Sequence, residues 1–173
     1  TVRTEGDECL RKVCKPVKSV SLRTRILIED MFDTMYESGG VGLAAPQIGV
    51  LKRIVVMDTD DNQHVLINPQ ILEVSGEQTG YEGCLSIPGK SGIVTRPDYV
   101  KVKALNERGE EYILEGEGLL ARCICHECDH LDGILYSDKA EGGLINNEDL
   151  PDDEEEELYE DAYEEFTEEE IHK

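Results

Sequence analysis

The sequence of 173 residues contains no apolar run near the roughly 18 residues that a membrane-spanning helix needs. Basic residues are also few, 17 against 39 acidic residues, and the formal net charge is -22. The lack of a long apolar run predicts that the chain does not insert into a membrane. The negative field repels phosphates, so we also expect no direct nucleic acid binding. Glycine and proline are scattered and 39% of the residues are hydrophobic, which excludes a collagenous or wholly disordered chain. The length of 173 residues predicts about one domain.

The acidic charge is concentrated at the C-terminal end. Residues 148–173 contain 15 Asp or Glu and one Lys. Apolar side chains recur there at helical spacing, at Leu158, Ala162 and Phe166. We predict a folded domain over 1–147 and an acidic C-terminal helix or tail over 148–173, which lies on the body or acts as a solubilising segment. A partner-docking helix is the alternative.

The chain opens on a largely polar stretch, without the charged-then-apolar pattern of a signal segment. An even number of cysteines indicates disulfides mainly in short secreted chains. We therefore expect a cytoplasmic protein in a reducing compartment. Its cysteines then serve metal binding, catalysis or packing, and they are Cys9, Cys14, Cys84, Cys123, Cys125 and Cys128.

Apolar periodicity predicts two helices, an amphipathic one over 19–37 and a short, largely apolar one over 119–131. Strands are predicted at 53–57, 65–68, 99–105 and 111–114, the last two as an antiparallel hairpin. The favoured class is α+β, with antiparallel strands packed around the later helix as its centre.

A His-Glu-Cys-Asp-His run at His126–His130 is the sharpest chemical signal in the sequence. Residues i and i+4 of a helix share one face, so both imidazoles can reach one metal ion. Glu127 can sit beside the coordination position where a water would bind. We therefore predict a metal site on His126 and His130, rather than two histidines packed in a helix.

A catalytic zinc-like site takes three protein ligands. The third ligand is indicated less clearly than the two histidines, because several residue types could supply it. The candidates are the cysteines and nearby carboxylates. Cys125 and Cys128 point away from the shared histidine face, and Cys123, one turn before His126, is better placed to line a pocket wall. Cys84 lies in a Glu-Gly-Cys-Leu-Ser segment that can bring a thiolate from a neighbouring strand. We take Cys84 as the best third ligand.

A glycine-rich run, Gly-Val-Gly-Leu-Ala-Ala-Pro-Gln, occupies residues 40–47. Two glycines one residue apart permit close approach of a ligand to the backbone. Gln47 is the only polar side chain of the run. No strand is predicted before it and no GxGxxG pattern is present, so it is not a nucleotide loop. A tight turn in which Gln47 hydrogen-bonds to the backbone is the alternative.

Together these three segments resemble the peptide deformylase family in both motif and order. The family carries a Gly-hydrophobic-Gly-hydrophobic-Ala-Ala-x-Gln run, a Glu-Gly-Cys-hydrophobic-Ser run and a His-Glu-x-x-His helix segment. Here they stand at 40–47, 82–86 and 126–130. The resemblance extends over roughly residues 5–147.

The resemblance implies a hydrolase that removes the N-terminal formyl group from the formyl-methionine of nascent bacterial polypeptides and releases formate. It implies that Cys84, His126 and His130 bind one divalent metal ion per chain, commonly Fe2+, with Zn2+, Ni2+ or Co2+ as possible occupants. A water on that metal would attack the formyl carbon, with Glu127 as general acid and base.

The remaining site residues follow from the same resemblance. Gln47 and the backbone N–H of Leu85 would hold the oxyanion, and Glu82 would orient a ligand or a loop. The substrate would bind as an added strand, with its Met side chain in an apolar pocket. The residues that the resemblance assigns to substrate binding are Val41, Gly42, Gly83, Leu119 and Cys123.

The sequence departs from the family in two places. Cys125 stands where the family often has Gln before the first histidine, which is not a ligand position. The C-terminal segment is acidic, whereas some relatives dock on the ribosome through a basic helix. We expect work close to the ribosome, without docking by a basic tail.

Two other functions remain open at the level of sequence. An HExxH metalloprotease would take its third ligand downstream, from Glu141 or His172, and would leave the Cys84 motif without a role. A non-catalytic protein with a structural metal would need neither Glu127 nor Gln47.

Overall fold

The computed structural model describes residues 1–151, which contain two α-helices, eight β-strands and short 3-10 turns. The helices are α1 (Leu22–Glu37) and α2 (Gly118–Leu131). The strands are β1 (Gly42–Ala44), β2 (Ile54–Asp58), β3 (Gln63–Ser75), β4 (Gln78–Cys84), β5 (Ile87–Arg96), β6 (Tyr99–Leu105), β7 (Glu111–Glu117) and β8 (Glu141–Asn146).

Every pair of these strands is antiparallel. One sheet has five strands in the order β1-β2-β3-β6-β7, and the other has three in the order β4-β5-β8. The predicted α+β class with antiparallel strands is confirmed. Within residues 1–151, no helix is both long enough and apolar enough to cross a membrane.

The five-stranded sheet is covered by one helix on each face. Val56 of β2 packs in a cluster with Met31 of α1, whereas its neighbour Val55 packs with Ile124 of α2. Successive strand residues point to opposite faces of a sheet. The unbroken apolar run of β2 therefore packs against both helices, and α2 packs on a fully buried face of the sheet.

Helix α1 begins three residues later than predicted and ends where predicted. Its N-cap is Ser21, whose hydroxyl accepts a hydrogen bond from the backbone N–H of Thr24 at 3.3 Å. After the helix, Gly39 adopts a φ of +72°, a conformation that favours glycine. This turn leads the chain into β1, which lies at an edge of the sheet.

The hairpin β6–β7 and helix α2 agree with the sequence prediction, but β1, β4, β5 and β8 do not follow from it. Strand β5 contains Pro88, Gly89 and Gly92, which lower strand propensity. Pairing with β4 on one side and β8 on the other stabilises the extended conformation that the local sequence does not favour. Strand β3 likewise runs far beyond the predicted 65–68, because its second half pairs with β6.

The last element of the described residues is a 3-10 turn at 147–149. The acidic helix or tail expected over 148–173 lies outside the described residues from 152 onward.

Candidate active site

Two successive turns of α2 bring a pair of histidines to the end of β4. The Nε2 atoms of His126 and His130 lie 3.2 Å apart. Cys84, the last residue of β4, places its Sγ 3.3 Å from Nε2 of His130. The three ligand atoms lie within 4.8 Å of one another, and they form the one group of this kind within residues 1–151.

These spacings fit a tetrahedral cation site. With metal–nitrogen bonds of about 2.05 Å and metal–sulfur bonds of about 2.3 Å, tetrahedral ligand atoms are separated by about 3.3 Å between nitrogens and about 3.6 Å between nitrogen and sulfur. The observed 3.2 Å and 3.3 Å lie within a few tenths of those values. One thiolate and two imidazoles suit iron and zinc, and three protein ligands leave a position for water or substrate.

The pKa values of the two histidines shift in opposite directions, so that only His126 takes up an additional proton. Burial lowers the pKa of His130 well below its usual value. Burial also opposes a charge on His126, but hydrogen bonds with Cys84 and Glu82 raise its pKa to about 10. Metal ligands must be deprotonated, so cation binding would displace that proton.

Glu82 of β4 contacts Nδ1 of His126, on the side of the ring away from the ligand cluster. Arg96 donates to both oxygens of Glu82, at 2.7 Å from Nη2 and 3.2 Å from Nε, and Arg122 donates to Oε2 at 2.8 Å. Burial alone would raise the pKa of Glu82, but the hydrogen bonds from His126 and Arg96 lower it below its ordinary value. Glu82 is thus an ionised carboxylate placed to fix the orientation of His126.

Glu127 is buried beside the histidines and keeps one oxygen free. Its Oε1 lies 4.0 Å from Nε2 of His126, and its Oε2 has no hydrogen-bond partner among the described residues. Burial raises the pKa of Glu127 to about 7. A carboxyl group with a pKa near the working pH can both accept and return a proton.

The amide of Gln47 is oriented by the backbone. The N–H of Ala44 donates to Oε1 of Gln47 at 2.9 Å, so the amide nitrogen must face the other way. That nitrogen lies 3.1 Å from Oγ of Ser86 and 3.5 Å from Sγ of Cys84. Leu85 lies in the two-residue link between β4 and β5, directly after Cys84. Gln47 therefore presents a donor to the ligand cluster. It also makes the hydrogen bond to the backbone that the alternative interpretation, a tight turn, required.

A cavity of about 640 Å³ opens over the cluster. Val41 and Leu119 stand at its mouth, 45% and 53% exposed, while Cys123 is buried within it. All the residues that sequence analysis assigned to substrate binding line this cavity, as do the expected catalytic residues: Val41, Gly42, Gly83, Leu119, Cys123, Gln47, Leu85 and Glu127.

The backbone at Gly42 passes very close to the reactive groups. A Cβ atom at this position would lie 2.8 Å from Sγ of Cys123 and 2.8 Å from Oε1 of Glu127. Both distances are shorter than real Cβ contacts. Glycine at this position lets an edge strand run directly beside the site.

Sequence reasoning missed four side chains that support the cluster. Arg96 and Arg122 hold Glu82, Ser86 accepts from Gln47, and the ring of Tyr136 stacks on that of His126 at 5.9 Å. Two of them had a local signal: Ser86 ends the Glu-Gly-Cys-Leu-Ser segment, and Arg122 is an arginine one turn before His126 in the apolar first half of the helix.

Residues of the competing hypotheses lie elsewhere. Cys125 and Cys128 pack in the core on the face expected for them. Glu141 accepts a hydrogen bond from Oγ1 of Thr95 at 2.9 Å on the surface and does not belong to the ligand cluster. His172 lies outside the described residues.

Comparison with known proteins agrees with this geometry. Residues 1–143 match the family model described as polypeptide deformylase. A peptide deformylase of Agathobacter rectalis is 61% identical over 144 residues, which cover 83% of this chain and 91% of that protein.

Solved structures are similar as well. The peptide deformylase of Thermotoga maritima matches with a TM-score of 0.80 and 43% identity, over 82% of this chain and 97% of that chain. The peptide deformylase of Synechococcus elongatus, solved in complex with actinonin, matches with a TM-score of 0.80 and 42% identity, over 82% of this chain and 80% of that chain.

Proposed function

Because the chain belongs to the peptide deformylase family, and is thus a metal-dependent hydrolase that removes the N-terminal formyl group from nascent polypeptides, we propose how its own residues divide that task. The observation that carries the proposal is the Cys84, His126 and His130 cluster, with Glu127 beside it and the amide of Gln47 facing it. No structural metal site needs either of those two side chains.

Cys84, His126 and His130 hold the divalent cation in this proposal. When bound, the cation would acidify a water molecule and polarise the formyl oxygen. Glu82 keeps His126 in the orientation that ligation needs, through its contact with Nδ1. We propose Fe2+ as the ion used in the cell, because the donor set suits it and the resembled family commonly uses it.

Glu127 is the general acid and base. Its Oε2, free of protein partners among residues 1–151, takes a proton from the attacking water and returns it to the amine that leaves. Burial, which raises its pKa to about 7, makes both directions accessible at neutral pH.

Negative charge on the formyl oxygen is stabilised by two donors of this chain. These are Nε2 of Gln47, whose direction is fixed by Ala44, and the backbone N–H of Leu85. A single preorganised donor of this kind contributes about 3 kcal/mol.

The substrate binds as an additional strand along Val41 and Gly42. Strand β1 lies at an edge of its sheet, and an edge strand presents unpaired backbone groups. The missing side chain of Gly42 lets that added strand bring its formyl end beside Glu127. The Met side chain then enters the cavity past Val41 and Leu119, beside Cys123 and Gly83.

The domain assignment is also a proposal. Residues 1–147 form the catalytic domain, with the HExxH helix at its centre, because α2 packs on the five-stranded sheet and contacts β5 of the other sheet through Arg122. We propose that the acidic residues from 148 onward are not part of this catalytic domain. We propose a cytoplasmic location near the ribosome, where nascent chains emerge, without docking by a basic tail.

The test is formate release from a short formyl-Met peptide. Protein prepared without oxygen is loaded with Fe2+ or Ni2+ and assayed with and without actinonin, the ligand of the Synechococcus elongatus relative. Turnover that requires the metal and is blocked by actinonin supports the proposal. A folded, metal-loaded protein that releases no formate contradicts it.

A further inference from the structure

Arg122 is a buried cation that the reaction steps above do not use. It is only 8% exposed, which is rare for an arginine without a dedicated partner. Because helix residues four apart share one face, Arg122, His126 and His130 form a single stripe along α2.

Arg122 and His126 contact the two different oxygens of one carboxylate. Nη1 of Arg122 donates to Oε2 of Glu82 at 2.8 Å, while Nδ1 of His126 contacts Oε1. The terminal torsion of a glutamate is broad, so contact at one oxygen leaves the carboxylate free to turn. Contacts at both oxygens from the same helix face remove that freedom.

Arg122 supplies the shorter of the two arginine bonds at Oε2 of Glu82, at 2.8 Å. Arg96 also contacts both oxygens of this carboxylate, and its short bond, 2.7 Å from Nη2, is at Oε1. Its bond to Oε2 of Glu82 is longer, at 3.2 Å, and its Nη1 donates to Asp129 at 2.7 Å, so its charge is shared between two carboxylates. Glu82 is the one carboxylate that Arg122 contacts within residues 1–151.

The rest of the Arg122 guanidinium is tied to the second sheet. It donates to the backbone oxygen of Val94 in β5 at 3.1 Å and to that of Gln78 in β4 at 3.4 Å. These bonds fix where the guanidinium stands relative to β4, the strand that carries Glu82.

We propose that Arg122 is a positioning residue of the metal centre: by holding Oε2 of Glu82 it fixes the carboxylate that orients His126, and so sets ligand geometry and metal retention. This inference rests on the proposed role of His126 as a ligand. It predicts that loss of the guanidinium changes metal binding, about one helical turn away, more than it changes the overall stability of the protein.

The test compares three variants with the wild type. Arg122→Met keeps a long apolar stem against the cavity and removes the guanidinium, and Arg122→Lys keeps a cation within reach of Glu82. Arg53→Met is the matched control, because Arg53 contacts the other end of α2, at the backbone oxygen of Leu131 (3.1 Å), and does not touch Glu82.

Four quantities are measured: the rate of Co2+ loss to a chelator, the ligand-field absorption bands of the Co2+ form, the kinetics of formate release, and urea unfolding without metal. We expect Arg122→Met to lose Co2+ about tenfold faster, to shift the absorption bands, and to lower kcat more than it raises KM. Arg122→Lys should recover most of each property. Arg53→Met should lower the unfolding midpoint and leave the Co2+ bands and the rate of metal loss unchanged.

The inference is overturned if Arg122→Met keeps wild-type bands and retention, or if Arg53→Met accelerates metal loss equally. Should Arg122→Met fail to fold, Arg122→Gln, which keeps a donor for the two backbone oxygens without the charge, takes the same test. A wild type that neither binds Co2+ nor releases formate contradicts the proposed function. A wild type that does both, beside an unchanged Arg122 variant, contradicts this inference alone.

Discussion

The Nε2 atoms of His126 and His130 face each other across 3.2 Å, and the thiol of Cys84 lies 3.3 Å from the second of them. Two imidazole nitrogens at this distance cannot both carry a proton on the facing side. Burial of both rings makes a second charge costly. A shared cation satisfies both nitrogens at once, because it replaces the single proton between them.

Replacement of Cys84 by serine should weaken metal retention sharply. A serine hydroxyl keeps the size of the side chain but is a poor ligand beside a thiolate for iron or zinc. We expect metal content by elemental analysis to fall well below one ion per chain after brief chelation that leaves the wild type loaded. Full metal content in the variant would reassign the third ligand.

Replacement of Glu127 by alanine should leave the fold and the metal in place and abolish the proton transfer. The expected loss in kcat is at least about 10²-fold, the usual contribution of a general base. Formate release and metal content are measured on the same sample, with the exposed Glu111→Ala as a control for loss of a carboxylate. Unchanged turnover by Glu127→Ala sinks the mechanism.

Replacement of Gly42 by alanine should impair catalysis without unfolding the chain. The added methyl group would press on Sγ of Cys123 and Oε1 of Glu127, both 2.8 Å away, and displace the general base. A displacement of this order reduces kcat/KM by up to about 10²-fold. The control is Gly80→Ala in β4, whose new methyl group has its nearest neighbour at 3.7 Å. Equal activity of the two variants would show that catalysis does not require the absence of a side chain at position 42.

Removal of residues 152–173 should leave formate release and metal content unchanged, because residues 1–151 by themselves contain the complete ligand cluster and line the cavity. The truncated and full chains are compared in the same peptide assay. A loss of turnover in the truncated chain, with its metal retained, would show that the acidic segment takes part in catalysis and that the proposed domain boundary is wrong.

The parts of the site that sequence could predict are those encoded locally. The spacing of His126 and His130 needs only helical periodicity, and Cys84 and Gln47 lie in short motifs. The support of the site is not local: Arg96 reaches Glu82 only because β5 pairs with β4, strands whose glycines and proline hide their conformation. The orientation of the Gln47 side chain is not encoded locally either. The direction of its amide depends on a backbone N–H donor that a motif does not show.

Thiol alkylation should distinguish Cys84 from the buried cysteines and show the metal at the same time. Burial raises the pKa of Cys14 to about 11, so only about one molecule in a thousand is a thiolate there at pH 8. Burial likewise raises the pKa of three other thiols, Cys123, Cys125 and Cys128. Burial raises the pKa of Cys9 as well. In the metal-free protein at pH 8, iodoacetamide should label Cys84 and Cys9 before the four buried cysteines, because these two are partly exposed and the reagent can reach them. Labelling of Cys14 should rise only as the pH approaches 11. Loading with Ni2+ should protect Cys84 and leave Cys9 unchanged, as read by mass spectrometry of peptides, with urea-unfolded protein as the control in which all six react. Equal labelling of Cys84 with and without the ion would show that its thiolate does not bind the metal.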